Sequence, residues 1–439
     1  ISNPLPSIND QTGGTTINGY SQSGARENTD PLLFNGVIKI QIVGPYTDSN
    51  RRGIDAIRLS SSDNVIRGLS VVRMRRALWI GGAQADDNVI AGNIVGLYAN
   101  GNEWISRGEA EGYGIYVNYG GKSNRLGGTS PADRNVVSGN SNDGIAMTND
   151  GTWYNLILGN NIGMDPFNGD DRDRNWSDGV DLNYGAAYNI IGGLAPGARN
   201  WIAGNASEGV ELSHAPSTAY NEVIGNYVGT NVTGTGGSAA NPRNPGFGVS
   251  LEDRASNNKV GPGNVISNNG RGGMEMYGNG SAGNQIFGNR IGVNINNQPL
   301  PNTGWGIRLR YHGSYATIGP DNIIAHNTGD GILLYDPNVD FNTITRNSIY
   351  GNGGLGIDIE PDGVNQNGQY SYTGANQRQN FPVIATATTQ IVTGTACAGC
   401  VVELFVSDSG IGGYGEGRTF VAAGTADAAR NFSIPVTDF

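Results

Sequence analysis

Two short patterns of apolar and polar positions alternate along most of this chain. The first is Gly, aliphatic, variable, aliphatic or Met. It is clear at Gly114-Ile115-Tyr116-Val117 and returns from Gly144, Gly179, Gly209, Gly248, Gly273, Gly306, Gly331 and Gly356, with a degenerate copy at Ala77-Leu78-Trp79-Ile80. The second is Asn-x-aliphatic-x-Gly-Asn, as in Asn88 to Asn93, Asn135 to Asn140, Asn200 to Asn205, Asn221 to Asn226 and Asn284 to Asn289. Both alternate with period two over four or five residues, which predicts short strands with one buried face and no helices.

The glycine motifs start 30, 35, 30, 39, 25, 33, 25 and 25 residues apart, so short and long coils mostly alternate. Two or three short strands per coil, stacked coil on coil, make a solenoid in which each strand pairs with its equivalent above and below. The aliphatic positions point inward. Asparagines recurring at the turns are placed to stack as amide ladders that satisfy turn backbone, and the glycines are expected to supply left-handed turn conformations.

The segments Arg134-Asn135-Val136-Val137-Ser138-Gly139-Asn140, Gly225-Asn226-Tyr227-Val228-Gly229-Thr230 and Gly192 to Asn200 resemble the coils of bacterial right-handed parallel β-helix repeat proteins. The resemblance runs from about residue 35 to 375. It implies an all-β chain, a right-handed parallel β-helix with an N-terminal cap region over 1–375. It implies no single activity, because the family joins surface proteins to polysaccharide lyases, hydrolases and epimerases. Residues 376–439 change character, with alternating runs at Val401 to Val406 and Thr419 to Ala422. They resemble an immunoglobulin-like β-sandwich, although they are too few for its usual ~100 residues.

Composition supports this picture: 71 glycines in 439 residues leave little room for a helical core. The net charge of −11 is spread along the chain, and only Arg73, Arg75 and Arg76 cluster, so nucleic acid is not an expected partner. No apolar run reaches the ~18 residues of a membrane span. Cys397 and Cys400 sit between strands, where a local disulfide fits better than a redox motif.

Candidate chemistry lies at the third position of the glycine motif, which points away from the core: Tyr116, Ala146, Asp181, Glu211, Ser250, Glu275, Arg308, Leu333, Asp358. Neighbours in this ladder stand ~4.8 Å apart. Asp181 beside Glu211 matches a retaining-glycosidase carboxyl pair, and Glu275 beside Arg308 suits a charged sugar. Asp171, Asp173, Asn175 and Asp178 alternate as oxygen ligands of a calcium loop would, although Trp176 stands where such a loop needs glycine. His214, His312 and His326 lie on different coils as turn or surface residues, and Trp104, Trp176 and Trp305 mark the long-loop side.

With no complete catalytic signature, the sequence favours an extracellular, rod-like structural protein, an adhesive or filament subunit. In that reading subunits join head to tail, the segment from Ile1 to Ile8 covering the short sandwich of the next chain. The rival reading is a carbohydrate-active enzyme or glycan-binding β-helix with a polysaccharide along one sheet.

Overall fold

The computed structural model describes the chain outside residues 2, 45–52, 102–111, 166, 168–172, 215, 217, 237–243, 369–373, 409–413 and 437–439. The described residues form a right-handed parallel β-helix of three sheets, each of 11 parallel strands. Sheet one runs from Thr16–Asn18 to Thr343–Ile344, sheet two from Ile40–Val43 to Ser348–Tyr350, and sheet three from Asp55–Leu59 to Ile357–Ile359. Every coil contributes one strand to each sheet in turn. The Asn-x-aliphatic-x-Gly-Asn motif supplies sheets one and two, and the glycine motif supplies sheet three.

Register follows the repeat. In sheet three Ile115, Ile145, Val180, Val210, Val249, Met274, Ile307 and Ile332 pair coil to coil as one inward column. Val117, Met147, Leu182, Leu212, Leu251, Met276, Leu309 and Leu334 form the second, and all sixteen side chains are fully buried. Burying a Val, Leu or Ile side chain contributes about 1.5–3 kcal/mol, so these two columns are a main source of stability.

Three asparagine ladders run through the turns, with each side-chain amide donating to the amide oxygen of the next coil. One joins Asn64, Asn88, Asn124, Asn155, Asn189, Asn221, Asn258 and Asn284. A second climbs from Asn93 to Asn347, and a third from Asn140 through Asn175, Asn205, Asn244, Asn269, Asn302 and Asn327 to Asn352. Backbone N–H groups feed the same oxygens, as Asn205 N does to Asn244 Oδ1 at 3.1 Å. Polar groups in this position would otherwise be buried unpaired.

The glycines divide their work in a way the sequence reading did not separate. Those preceding a ladder asparagine, such as Gly92 and Gly225, adopt φ of 68° and 69° and make the left-handed turn. The glycine that opens the sheet-three motif does something else. A Cβ at Gly179 would lie 2.7 Å from the Asn205 amide nitrogen and 2.6 Å from Ile202 Cγ2, so the motif needs glycine because the third ladder passes against it.

After the last coil, Val383–Ala387, Ile391–Thr395 and Asn431–Pro435 form one antiparallel sheet and Val401–Ser407 with Gly417–Thr425 another. Val402, Ala426, Phe432 and Ile434 are their shared core, and Cys397 and Cys400 form a disulfide. This small sandwich closes the helix end. Glu416 accepts from Asn352 Nδ2 at 2.9 Å and from its backbone N–H at 3.0 Å, continuing the third ladder with a carboxylate. Glu403 accepts from Arg346 N at 3.0 Å and Asp408 from Gly351 N at 3.0 Å.

The opposite end is covered from within the chain too. Ile8 bridges to Leu59 as an added sheet-three rung, with Ile8 N donating to Arg58 O at 2.8 Å. The amino terminus of Ile1 donates to Val43 O at 2.7 Å. Thus part of the segment expected to reach a neighbouring subunit is engaged on its own helix.

Candidate functional site

The outward column of sheet three stacks in the expected order, with Ala146 paired to Asp181, Asp181 to Glu211, Glu211 to Ser250, Ser250 to Glu275 and Glu275 to Arg308. Its environment differs from that of a solvated strand face. Asp181, Ser250, Glu275, Arg308 and Asp358 are all buried, and Asp181 is only 8% exposed. Two rows flank the column, and the strip between them is termed the groove: Asp143, Asp178 and Glu208, each just before its motif glycine, form one row, and Thr148, Asn183, Ser213 and Glu252, two positions after the column residue, form the other.

Six carboxyl groups therefore meet over four coils. Asp143, Asp178 and Asp181 are buried, while Glu208, Glu211 and Glu252 are partly open. Carboxylate oxygens of Asp178, Glu208 and Glu211 lie within 4.8 Å of one another, close enough to hold a divalent cation. Backbone bonds set the first row: Asp178 N donates to Asp143 Oδ1 at 3.1 Å and Glu208 N to Asp178 Oδ1 at 2.8 Å. Asn183 donates to Asp181 Oδ2, but Asp181 Oδ1 is buried with no partner.

The electrostatic consequence is uniform. Burial, reinforced by neighbouring carboxylates, pushes Asp178 and Asp181 well above the ordinary aspartate range. Burial also raises Asp143 and Glu211, the latter opposed by a hydrogen bond with Ser213. Glu252 is pushed up to about 7 by burial and then by Glu211, against a hydrogen bond from Ser250. Such a group holds a proton near neutral pH, as a general acid must.

Glu275 and Arg308 come together differently from the sequence expectation. Arg308 Nη2 and Arg310 Nε each lie 2.6 Å from the same Glu275 oxygen, and Arg308 stacks 4.4 Å from the Trp305 ring centroid. The one Glu275 carboxylate is thus shared by two arginines.

The calcium-loop expectation is corrected in part. Asp171 lies outside the described residues. Asn175 spends its amide in the third ladder, accepting from Asn140 at 2.8 Å and donating to Asn205 at 2.9 Å, so it is not a free ligand. The Asp173 backbone carbonyl accepts from Ser138 Oγ. Asp178 belongs to the acidic row beside sheet three. The histidines are turn residues, His214, His312 and His326 all having positive φ. Next to the groove His214 packs 4.9 Å from Tyr184, a half-exposed ring.

Sequence reasoning placed Asp181 beside Glu211, as the register has them, but did not bring Asp143, Asp178, Glu208 and Glu252 to the same cluster. A signal existed: an acid precedes the motif glycine on three successive coils, in Asp143-Gly144, Asp178-Gly179 and Glu208-Gly209. A cavity of about 700 Å³ lies elsewhere, between the last coil and the sandwich, lined by Ile349, Ile359, Phe381 and Phe405. Its lining also carries Asp358, Glu403, Glu416, Arg346 and Arg378; Asp358 is buried with one oxygen unpartnered and is raised to about 6 by burial, but the larger cluster of carboxyl groups is the one around Asp181.

No family model matches the sequence, and no curated protein matches it. Solved structures that it resembles include the periplasmic alginate epimerase AlgG, at 13% identity and a TM-score of 0.47 over 71% of this chain and 68% of that one. The Dettilon tailspike protein is similar at 12% identity and a TM-score of 0.42, over 91% and 85%. A mannuronan C-5 epimerase A-module of Azotobacter vinelandii is similar at 14% identity and a TM-score of 0.28, over 79% and 83%. The architecture itself is read from the chain's own three sheets: a right-handed parallel β-helix closed by a small antiparallel sandwich.

Proposed function

We propose that this protein is a carbohydrate-active β-helix that lays an extended glycan along sheet three and acts on it at the carboxyl cluster. The observation that carries the reading is Asp181: 8% exposed, one oxygen unpartnered, and in register beside Glu211. A structural ladder gains nothing from burying unpaired acids, whose desolvation is costly; a reactive site gains carboxyl groups with raised pKa values. Glu211, the partly open member of the pair, is the acid that meets a glycosidic oxygen. Asp181 and Asp178 line its surroundings with further carboxyl groups of raised pKa. The half-exposed Tyr184 ring at the groove's edge offers a surface for a sugar.

A purely structural rod is the weaker reading, because both helix ends are covered within the chain. The Cys397–Cys400 disulfide supports work outside the cytoplasm, and among the described residues no helix is long and apolar enough to cross a membrane. Incubation with a panel of neutral and acidic polysaccharides, followed by assays for new reducing ends and unsaturated products, tests the proposal. Turnover that disappears in Glu211→Gln while the fold persists is the expected result. Undiminished turnover in that variant removes Glu211 from the reaction, and no binding or turnover of any glycan removes the reading itself.

A further inference from the structure

Sheet three begins with charge of the opposite sign. Arg58 pairs in register with Trp79, and Trp79 with Tyr116, so these side chains are the first rungs of the column that leads to Asp181. Two guanidinium groups crowd the Trp79 indole, that of Arg58 at 4.0 Å and that of Arg76 at 3.5 Å from the ring centroid. Arg75 and Arg76 both bind Asp55, each at 2.7 Å. Arg58 has no acidic partner among the described residues, and its Nε is shielded from solvent without an acceptor.

We propose that Arg58, with Arg76 and Trp79, forms a subsite for an anionic substituent of the glycan, a uronate carboxylate or a sulfate ester. The inference rests on reading sheet three as the glycan groove. A guanidinium presents a planar fork of donors that matches either anion, and it stays charged at every working pH. With guanidinium groups on its indole, Trp79 offers a sugar charge in place of a bare ring face. The partly exposed Arg58 guanidinium, which has no acidic partner among the described residues, is what an arriving anion would pair with.

The two halves of the groove then set the register of the chain between them. Arg58 stands four rungs from Asp181, roughly 19 Å at the spacing of neighbouring strands. An anionic sugar placed over Asp178, Asp181 and Glu211 meets no cation, whereas the same sugar four rungs back meets Arg58. Attraction at the arginine end thus favours one alignment of a polyanionic chain, with Tyr116 and the small Ala146 as the floor between.

The test is calorimetric binding of oligogalacturonate, a sulfated galactan oligosaccharide and a neutral glucan oligosaccharide to the full chain, parent and Arg58→Gln. At least one anionic ligand should bind about tenfold or more tighter than the neutral one, and the preference should fade in high salt. Arg58→Gln should abolish the preference with an unchanged melting profile. Arg58→Lys, which keeps charge and loses the fork, should restore part of it. The uronate and sulfate arms identify which anion is read. Neutral glycan bound or turned over as well as the anionic ones, with Arg58→Gln indifferent, overturns the subsite while leaving the groove reading intact. No binding of any of the three ligands overturns the subsite and counts against the groove.

Discussion

Neutralising Glu252 should make the protein more stable at alkaline pH and leave it unchanged at acid pH. Glu252 stands in a row that flanks the groove, and burial, with Glu211, Glu275 and Glu208 as further negative neighbours, lifts its carboxyl from 4.5 to about 7. A folded-state pKa above the unfolded one means that the folded state holds the proton more tightly. The associated stability is fully present below pH 4.5 and is lost as pH rises through 7. A rise of this size corresponds to about 3 kcal/mol once both states are ionised. Glutamine retains the oxygen that accepts from Ser250 Oγ, a bond of 2.7 Å, and carries no charge. Glu252→Gln should therefore raise the free energy of unfolding in urea by up to about 3 kcal/mol at pH 8 and by close to nothing at pH 4. An equal effect at both pH values, or destabilisation at pH 8, would refute the claim that the groove stores uncompensated negative charge.

The inward columns and the C-terminal closure give two further tests. Ile332→Asp places an unpaired carboxylate in a fully buried position between Ile307 and Ile357 and should destabilise by several kcal/mol, on the order of 3–5, read as a lower urea midpoint; a variant that unfolds like the parent would mean the faces of sheet three are exchanged. Glu416→Ala leaves the Asn352 backbone and amide donors without their acceptor and should cost about 2–4 kcal/mol. Hydrogen exchange should speed up over 343–359 and stay unchanged over 179–213, and uniform acceleration would contradict a local cap.

The inward and outward positions of sheet three were legible in the sequence because a glycine recurs at a fixed offset from every strand. Once Gly179 and Gly209 are aligned, Asp181 and Glu211 must be neighbours. The ladders were legible for the same reason. Burial of the outward face was not, since it depends on the two flanking rows, which a reading confined to the third motif position passes over; Asp143 and Glu208 lie in those rows. Nor could the pairing of Glu275 with both Arg308 and Arg310 be foreseen, because Arg310 sits two residues further along its strand and competes for the carboxylate. The contacts of Glu403, Asp408 and Glu416 with the last coil join segments more than 50 residues apart with no repeat to relate them.

The placement of the carboxyl cluster makes sense in a solenoid. Stability here is close to a sum over coils and their nearest-neighbour interfaces, so a penalty in the coils of Asp143, Asp178, Glu208 and Glu252 is offset locally by what those coils share with all others. They keep fully buried aliphatics in both inward columns and an unbroken third ladder from Asn140 to Asn269. These coils are also internal, so fraying at either end does not reach them first. A globular enzyme of this size would spread the same unpaired acids over one core; a β-helix confines the cost to four rungs and leaves the surface of sheet three to be written residue by residue. The arginines at its start and the acids at its centre are then two stretches of one groove, with Trp79, Tyr116 and Ala146 as the rungs that connect them.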